Sequence, residues 1–449
     1  MHTRVYSWGK NVKVSAQMHN IAQNPRVRTA AGMGFFWLSA FYFVYCIRPE
    51  DWITPLSFIP LAKITGVAAF LALLFGASKG KRKLRDLPAE SFYLLAMIAV
   101  LMLSSMVSPV WKGGAVSRTL DFSKVYIVWV LTFLLVTDLP KFRKIVYIQA
   151  AAVPLICLIS IIKGRNTPRL DGVLGGIYSN PNDLAFAIVL SLPFCFMFLL
   201  STRSKLKKLI WAVGMLVMAK ALFMTASRGG FITLVVAGAV CLWHFGVKGK
   251  RLYLIAITGL VAVILFATAG ATLKDRFASL WSDDLDSDQQ RSAQASYEQR
   301  QYLMEKAVEG ITHYPILGMG TRNFEVYSGV WREVHMTYMQ IAAEGGITSL
   351  ILFLLFFARG FKNLRILRKR KDLPQDVRLF TGALHGSLVG FVVGACFSPE
   401  AYQFFPFFAV AYTSALLAYV READRAAALQ PQSAPVPGAL KAGRVPVTT

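Results

Sequence analysis

Twelve runs of mostly apolar residues divide this chain, and that alternation decides most of what it can become. They fall near 31–47, 57–77, 91–108, 122–138, 145–162, 181–200, 209–226, 230–246, 252–272, 334–358, 379–398 and 404–421. Each is long enough to be read as a helix that crosses a bilayer. Only 16% of the residues are charged and 55% are hydrophobic, whereas soluble domains carry about a quarter charged residues. The expected fold class is therefore an all-α integral membrane protein of about twelve transmembrane helices.

The charged residues give these helices a direction. A net charge of +25 would point to nucleic acid in a soluble protein, but here Lys and Arg cluster between the apolar runs. One set of segments holds Lys79 to Arg85, Lys141 to Lys144, Arg203 to Lys208, Lys248 to Arg251 and Arg359 to Arg378. With both tails it contains roughly two thirds of all Lys and Arg, which marks it as cytoplasmic. An even number of spans then puts both termini inside. The expected order is a tail at 1–30, spans one to nine over 31–272, an outer loop at 273–333 and spans ten to twelve over 334–421. A tail at 422–449, rich in Ala, Pro and Val, is expected to be disordered. The first helix follows the polar N-terminal tail without a cleavage site, and no internal repeat is evident.

The five cysteines are scattered and show no CxxC or metal-ligand spacing, so neither a disulfide framework nor a zinc site is expected. Asp283, Asp284, Asp286 and Asp288 open the long outer loop. They lack the glycine turn and terminal glutamate of a calcium loop and read as a solvated acidic stretch.

The outer face holds the residues with chemistry to offer. From Ser296 to Ile311 a helical projection puts Arg300, Met304, Ala307, Val308 and Ile311 on one face, with Glu298, Glu305 and Glu309 opposite. Arg300, inside an apolar stripe, either snorkels or meets an anion. Pro315 ends that helix, Gly318 and Gly320 mark a turn, and Arg322 comes next. His335 opens the tenth span beside the long loop, where histidine is the side chain best suited to exchange a proton near neutral pH. Glu344 within that span needs a partner, and Gly345 and Gly346 allow close helix packing.

Arg228, succeeded by Gly229 and Gly230, begins the eighth helix. Free backbone N–H groups, close approach and a guanidinium fork would together suit an anion, while a simple turn anchor explains the arginine equally well. Asn180, Pro181, Asn182 and Asp183 read first as a helix cap, and also as polar groups able to touch a sugar. Lys163, Arg165 and Arg169 add basic charge to this surface. Lys63 and Lys220, toward the outer ends of their spans, snorkel or line a cavity.

Together these segments resemble the O-antigen ligase family of polytopic bacterial membrane glycosyltransferases, which is related to O-antigen and exopolysaccharide polymerases. The resemblance rests on Ser227-Arg-Gly-Gly-Phe231, on Arg300 with the later Pro315-Ile-Leu-Gly-Met-Gly-Thr-Arg-Asn-Phe324, and on His335-Met-Thr-Tyr-Met-Gln-Ile-Ala-Ala-Glu-Gly345. Asn180-Pro-Asn-Asp-Leu-Ala185 fits as well, and Arg48-Pro-Glu-Asp-Trp52 more loosely. Met336 departs from the family, which usually has asparagine after the histidine.

The resemblance implies a GT-C-like, metal-independent, inverting enzyme in the bacterial inner membrane, with its long loop and active face in the periplasm and short helices in that loop. It would move a glycan from undecaprenyl diphosphate to an acceptor hydroxyl on a glycolipid or glycan, such as lipid A core. Arg228 and Arg300 would bind the diphosphate and His335 would serve as general base. Arg322, Arg169, Asn180, Asn182 and Lys220 complete the expected substrate-binding set. The partners implied are the lipid-linked donor, the acceptor and membrane lipids, with no cofactor. A polymerase of lipid-linked repeat units shares the donor and fold. A transporter or flippase is the reading from another class, and it predicts polar groups at mid-membrane rather than at one face.

Overall fold

A computed structural model describes residues 32–74, 82–164, 169–172, 178, 180–267 and 288–429, with the backbone alone at 54, 265–266, 288–293 and 296. Arg165, the acidic residues Asp283, Asp284 and Asp286, the tail at 1–30 and the C-terminal tail from 430 onward lie outside the described residues. No strand occurs among those described.

The longer helices are α1 (Met33–Ile47), α2 (Leu61–Leu74), α3 (Ala89–Met106), α4 (Lys112–Leu135), α5 (Leu139–Lys163), α6 (Pro181–Ser201) and α7 (Lys205–Thr225). After them come α8 (Arg228–Leu242), α9 (Tyr253–Ala267), α10 (Asp288–His313), α11 (Thr337–Lys369), α12 (Gln375–Gly394) and α13 (Phe404–Ala428). Among the described residues, eight helices are long and apolar enough to cross a membrane: α3, α5, α6, α7, α8 with its π turn to Val247, α11, α12 and α13. The protein is therefore a multi-pass, all-helical membrane protein. Helices α1, α2, α4 and α9 occupy the other four expected spans, but are shorter or carry a polar end.

Boundaries shift where a helix outruns its apolar part. Helix α4 begins at Lys112 rather than near 122, because its first turns (Lys112 to Asp121) are polar and hydropathy registers only the apolar turns beyond them. Helix α5 starts at Leu139 because the Asp138 carboxylate accepts from the Lys141 N–H at 2.9 Å, capping the first turn. Helix α13 runs to Ala428, so the first residues of the expected disordered tail are helical.

Helices α6, α12 and α13 are the most enclosed, and Phe194, Phe198, Phe380, Phe391, Phe407 and Tyr412 interlock between them and their neighbours. Lipid offers apolar side chains no worse a home than protein does, so close packing and satisfied polar groups hold such a bundle together. Tyr412 donates to the Gln149 amide oxygen at 2.9 Å, and the buried Glu90 carboxylate accepts from Asn363 at 2.7 Å.

The outer part of α11 is built around a break. Gly346 has φ 74° and ψ 173°, a backbone region essentially restricted to glycine. The carbonyls of Ala343 and Glu344 accept from the N–H groups of Met319 and Gly320, both at 2.9 Å, and Ile347 N–H donates to the Pro315 carbonyl at 2.8 Å. Of the two glycines expected to let helices pack closely, Gly345 does so, since a Cβ there would lie 2.6 Å from Leu101 of α3, while Gly346 opens the helix and a loop backbone repairs it. Non-helical backbone at membrane depth is tolerated when protein satisfies it in this way. A Cβ at Gly346 would lie 2.1 Å from the Ile316 carbonyl oxygen. Gly346→Ala is expected to destabilise the fold by about 1–3 kcal/mol through backbone strain alone, with the overlap adding to this. Thermal unfolding of the detergent-purified protein against wild type checks it.

Candidate functional site

Among the described residues of the loop expected at 273–333, one long helix stands where short ones were expected. Helix α10 has 26 residues and is succeeded only by the single turn Phe324–Tyr327. Its buried stripe is rotated from the expected one: Leu303 and Ala307 are fully buried, whereas Met304 and Val308 are about half exposed. The shift arises from Gly310, whose missing side chain admits Met319 against the helix. Leu303, Ala307, Met319, Phe324, Val334 and Ala343 form a small core of their own, separate from the bundle's. That core, with Tyr302 donating to the Ser328 carbonyl and Tyr327 donating to Glu309, fixes the rotation of α10. Arg300 lies on the same side, half-buried.

Arg228 reaches the same place from a different segment. Helix α7 ends at Ala226 with φ 48°, and Ser227 caps α8 by accepting from the Gly230 N–H at 3.2 Å. Ser227 also donates to the Asn182 side-chain oxygen at 2.9 Å. Arg169 donates to the Thr225 carbonyl at 2.9 Å and to Asn182 at 3.4 Å. The starts of α6 and α8 and the 169–172 segment are thereby tied into one rigid corner. A Cβ on Gly230 would sit 2.7 Å from the Ala185 Cβ, and one on Gly229 2.7 Å from the Phe397 Cβ, so both glycines serve close approach.

Between these elements lies a cavity of about 320 Å³, lined by Arg169, Asn182, Ser227, Arg228, Gln299, Arg300, Arg332, Phe397 and Ser398 among others. Four guanidinium groups from four segments share it, and no carboxylate is among its described lining residues. Such a space suits a multiply charged anion, since each fork can give two parallel hydrogen bonds to phosphate oxygens.

His335 stands beside it. Helix α11 starts at Thr337, so the histidine precedes the helix instead of opening it. Met336 supplies no capping side chain. Thr337 instead anchors the segment, donating to the Ser398 carbonyl at 2.7 Å and accepting from the Glu400 N–H at 2.9 Å. Burial, then the charges of Arg300 and Arg332, push the His335 imidazole down to about 4. It is neutral at physiological pH, and its Nδ1 makes no hydrogen bond among the described residues. Two residues away, burial pushes Glu333 up to about 8 despite Arg322 at 3.7 Å.

The expected substrate-binding residues divide. Arg169 and Asn182 line the cavity with Arg228 and Arg300. Asn180 is at its edge and is spent on the cap, its side-chain oxygen accepting from the N–H groups of Asn182 and Asp183 at 2.9 and 3.0 Å. Arg322 faces a different, mostly apolar groove of about 600 Å³ with Lys63, Arg118 and Tyr402. Lys220 lies outside both: it is exposed on the face of α7 that carries Val213 and Leu216, which is where a long cationic side chain snorkels. Glu344 finds its partner in Tyr402, which donates to it at 2.6 Å. Sequence reasoning missed Arg332, Gln299 and Ser398. For Arg332 the available signal was its place three residues before His335.

The bundle and the cavity together define a multi-pass membrane protein with a cationic pocket at one end. Residues 213–354, from α7 into α11, match the family model described as O-antigen ligase. The matched segment contains Arg228, Arg300, Arg322, Arg332 and His335, while Arg169 and Asn182 precede it. No curated protein matches the chain.

Proposed function

We propose that this protein is an O-antigen ligase-like, inverting glycosyltransferase that moves a glycan from undecaprenyl diphosphate to an acceptor hydroxyl at the periplasmic face of the inner membrane. On this reading all twelve expected segments span in a GT-C-like arrangement, with both termini cytoplasmic. One observation carries the proposal: Arg228 and Arg300, brought from separate segments, line a single cavity beside His335.

The acceptor oxygen attacks the anomeric carbon as the carbon–oxygen bond to the diphosphate breaks. The bonding pair leaves with undecaprenyl diphosphate, whose added charge Arg228 and Arg300 stabilise, with Arg169 and Arg332 beside them. His335, neutral before reaction, takes the acceptor proton. Arg322 and Lys220 are left out of the diphosphate set because neither lines the cavity.

The acceptor separates a ligase from a polymerase of lipid-linked repeats. Purified protein, reconstituted with a defined undecaprenyl-diphosphate glycan, is expected to glycosylate a lipid A core acceptor. A deletion strain is expected to accumulate finished chains on the lipid carrier. Unpolymerised repeats in that strain would favour the polymerase instead.

A further inference from the structure

At the end of the bundle opposite the arginine cavity, α8, α11 and α12 enclose a second concavity, of about 550 Å³. Its lining includes Lys248, Lys250 and Arg251 from the turn after α8, Arg368 from the end of α11, Arg370 and Lys371 from the turn into α12, and Arg378 from the first turn of α12. Of these, Arg370 is paired with Asp372 and Asp424, and no aspartate or glutamate is among the lining residues. A topology bias alone asks only that basic residues face the inner leaflet. It does not ask that three separate segments aim them into one concavity.

The floor of that concavity is built for the purpose. The π turn at Trp243–Val247 carries His244 against His385, with the Nε2 of one 3.0 Å from the Nδ1 of the other. Arg368, which can only donate, lies 3.2 Å from the His385 Nε2. His385 Nε2 therefore accepts, its Nδ1 carries the proton, and His244 Nε2 accepts in turn. Two uncharged imidazoles thus brace Arg368 without cancelling its charge. Gly382 has no side chain where a Cβ would press on Phe245 at 2.9 Å and His244 at 3.1 Å, which lets the π turn seat against α12.

We propose that this concavity is a binding site for a phosphate-bearing polyanion, either the headgroup of an anionic phospholipid of the adjoining leaflet or a soluble polyphosphate. Basic pockets between spanning helices are suited to the first, and convergent lysines and arginines to both. The site is independent of glycan transfer and stands whether or not that reading holds.

Two probes test it on the full chain: cardiolipin retained from phosphatidylethanolamine nanodiscs, read by native mass spectrometry, and inorganic tripolyphosphate, read by calorimetry in nanodiscs of phosphatidylethanolamine alone. The K248Q/K250Q/R251Q variant is expected to lose at least tenfold in affinity for one of them. K205Q/K207Q/K208Q removes as many charges from the same end of the bundle outside the concavity, and is expected to change affinity less than twofold. Loss of cardiolipin alone identifies the headgroup, and loss of tripolyphosphate alone the soluble anion. Equal loss in both variants, or none in either, overturns the proposal. K371Q/R378Q provides the same comparison if the first variant does not fold.

Discussion

Arg300→Ala is expected to lower glycan transfer by about 10²–10³-fold, with the protein still inserted and present at wild-type amounts. The guanidinium lines a cavity with three others, and in the proposed reaction the leaving diphosphate gains charge as the glycosidic bond breaks. A fixed cation there stabilises the transition state more than the ground state, so the loss should fall mainly on kcat. Arg228→Ala is expected to match it, and the double variant to lose less than the product of the two, because both act on one leaving group. Arg300→Lys should recover only part of the activity, since an ammonium cannot give the paired hydrogen bonds of the fork. The assay is transfer from a defined undecaprenyl-diphosphate glycan, with protein quantified in the same membranes. Wild-type transfer by Arg300→Ala would remove the arginine from the mechanism.

His335→Ala is expected to lose about 10²–10⁴-fold, the usual contribution of a positioned base. Its pH dependence gives a sharper reading. An ordinary histidine, at about 6.5, would be mostly protonated and useless as a base at pH 6. His335, held at about 4 by burial and by Arg300 and Arg332, is still neutral there. The acid limb of kcat/KM is therefore expected near 4, with activity intact through pH 6. Bound diphosphate brings negative charge to the arginines that depress the imidazole, so the limb of kcat, which reports the occupied enzyme, should move upward. The donor would thereby strengthen the base it needs. An acid limb of kcat/KM at 6.5 would contradict this picture.

Much of the site could be read from the sequence because two of its arginines occupy positions with a local signature. Arg228 precedes two glycines at a helix start, and Arg300 interrupts an apolar stripe. Arg332, between Trp331 and Glu333 in a stretch without periodicity, has only its place three residues before His335 to mark it, and the fold shows that it lines the cavity. Lys220 misled for the converse reason. Hydropathy places it near the outer end of a span, but does not distinguish a face turned to lipid from one turned to a cavity. The eight membrane-length helices were legible because their signal is a run of residues, whereas the polar first turns of α4 and the exact face of α10 depend on tertiary contacts. Gly346 belongs with these: the sequence shows a Gly-Gly pair, and only the partnered loop shows that the second one breaks the helix.

That break has a bearing on biogenesis. An α11 that kept this break without the loop would hold the carbonyls of Ala343 and Glu344 open to hydrocarbon, a cost of several kcal/mol for each unsatisfied group. Residues 319 and 320, which cover them, are synthesised earlier than the helix they complete. On the proposed topology they have already been translocated when α11 leaves the insertion machinery. The nascent span is thus met from outside by its own preceding loop, and secretion of that loop becomes a precondition for integrating the next helix.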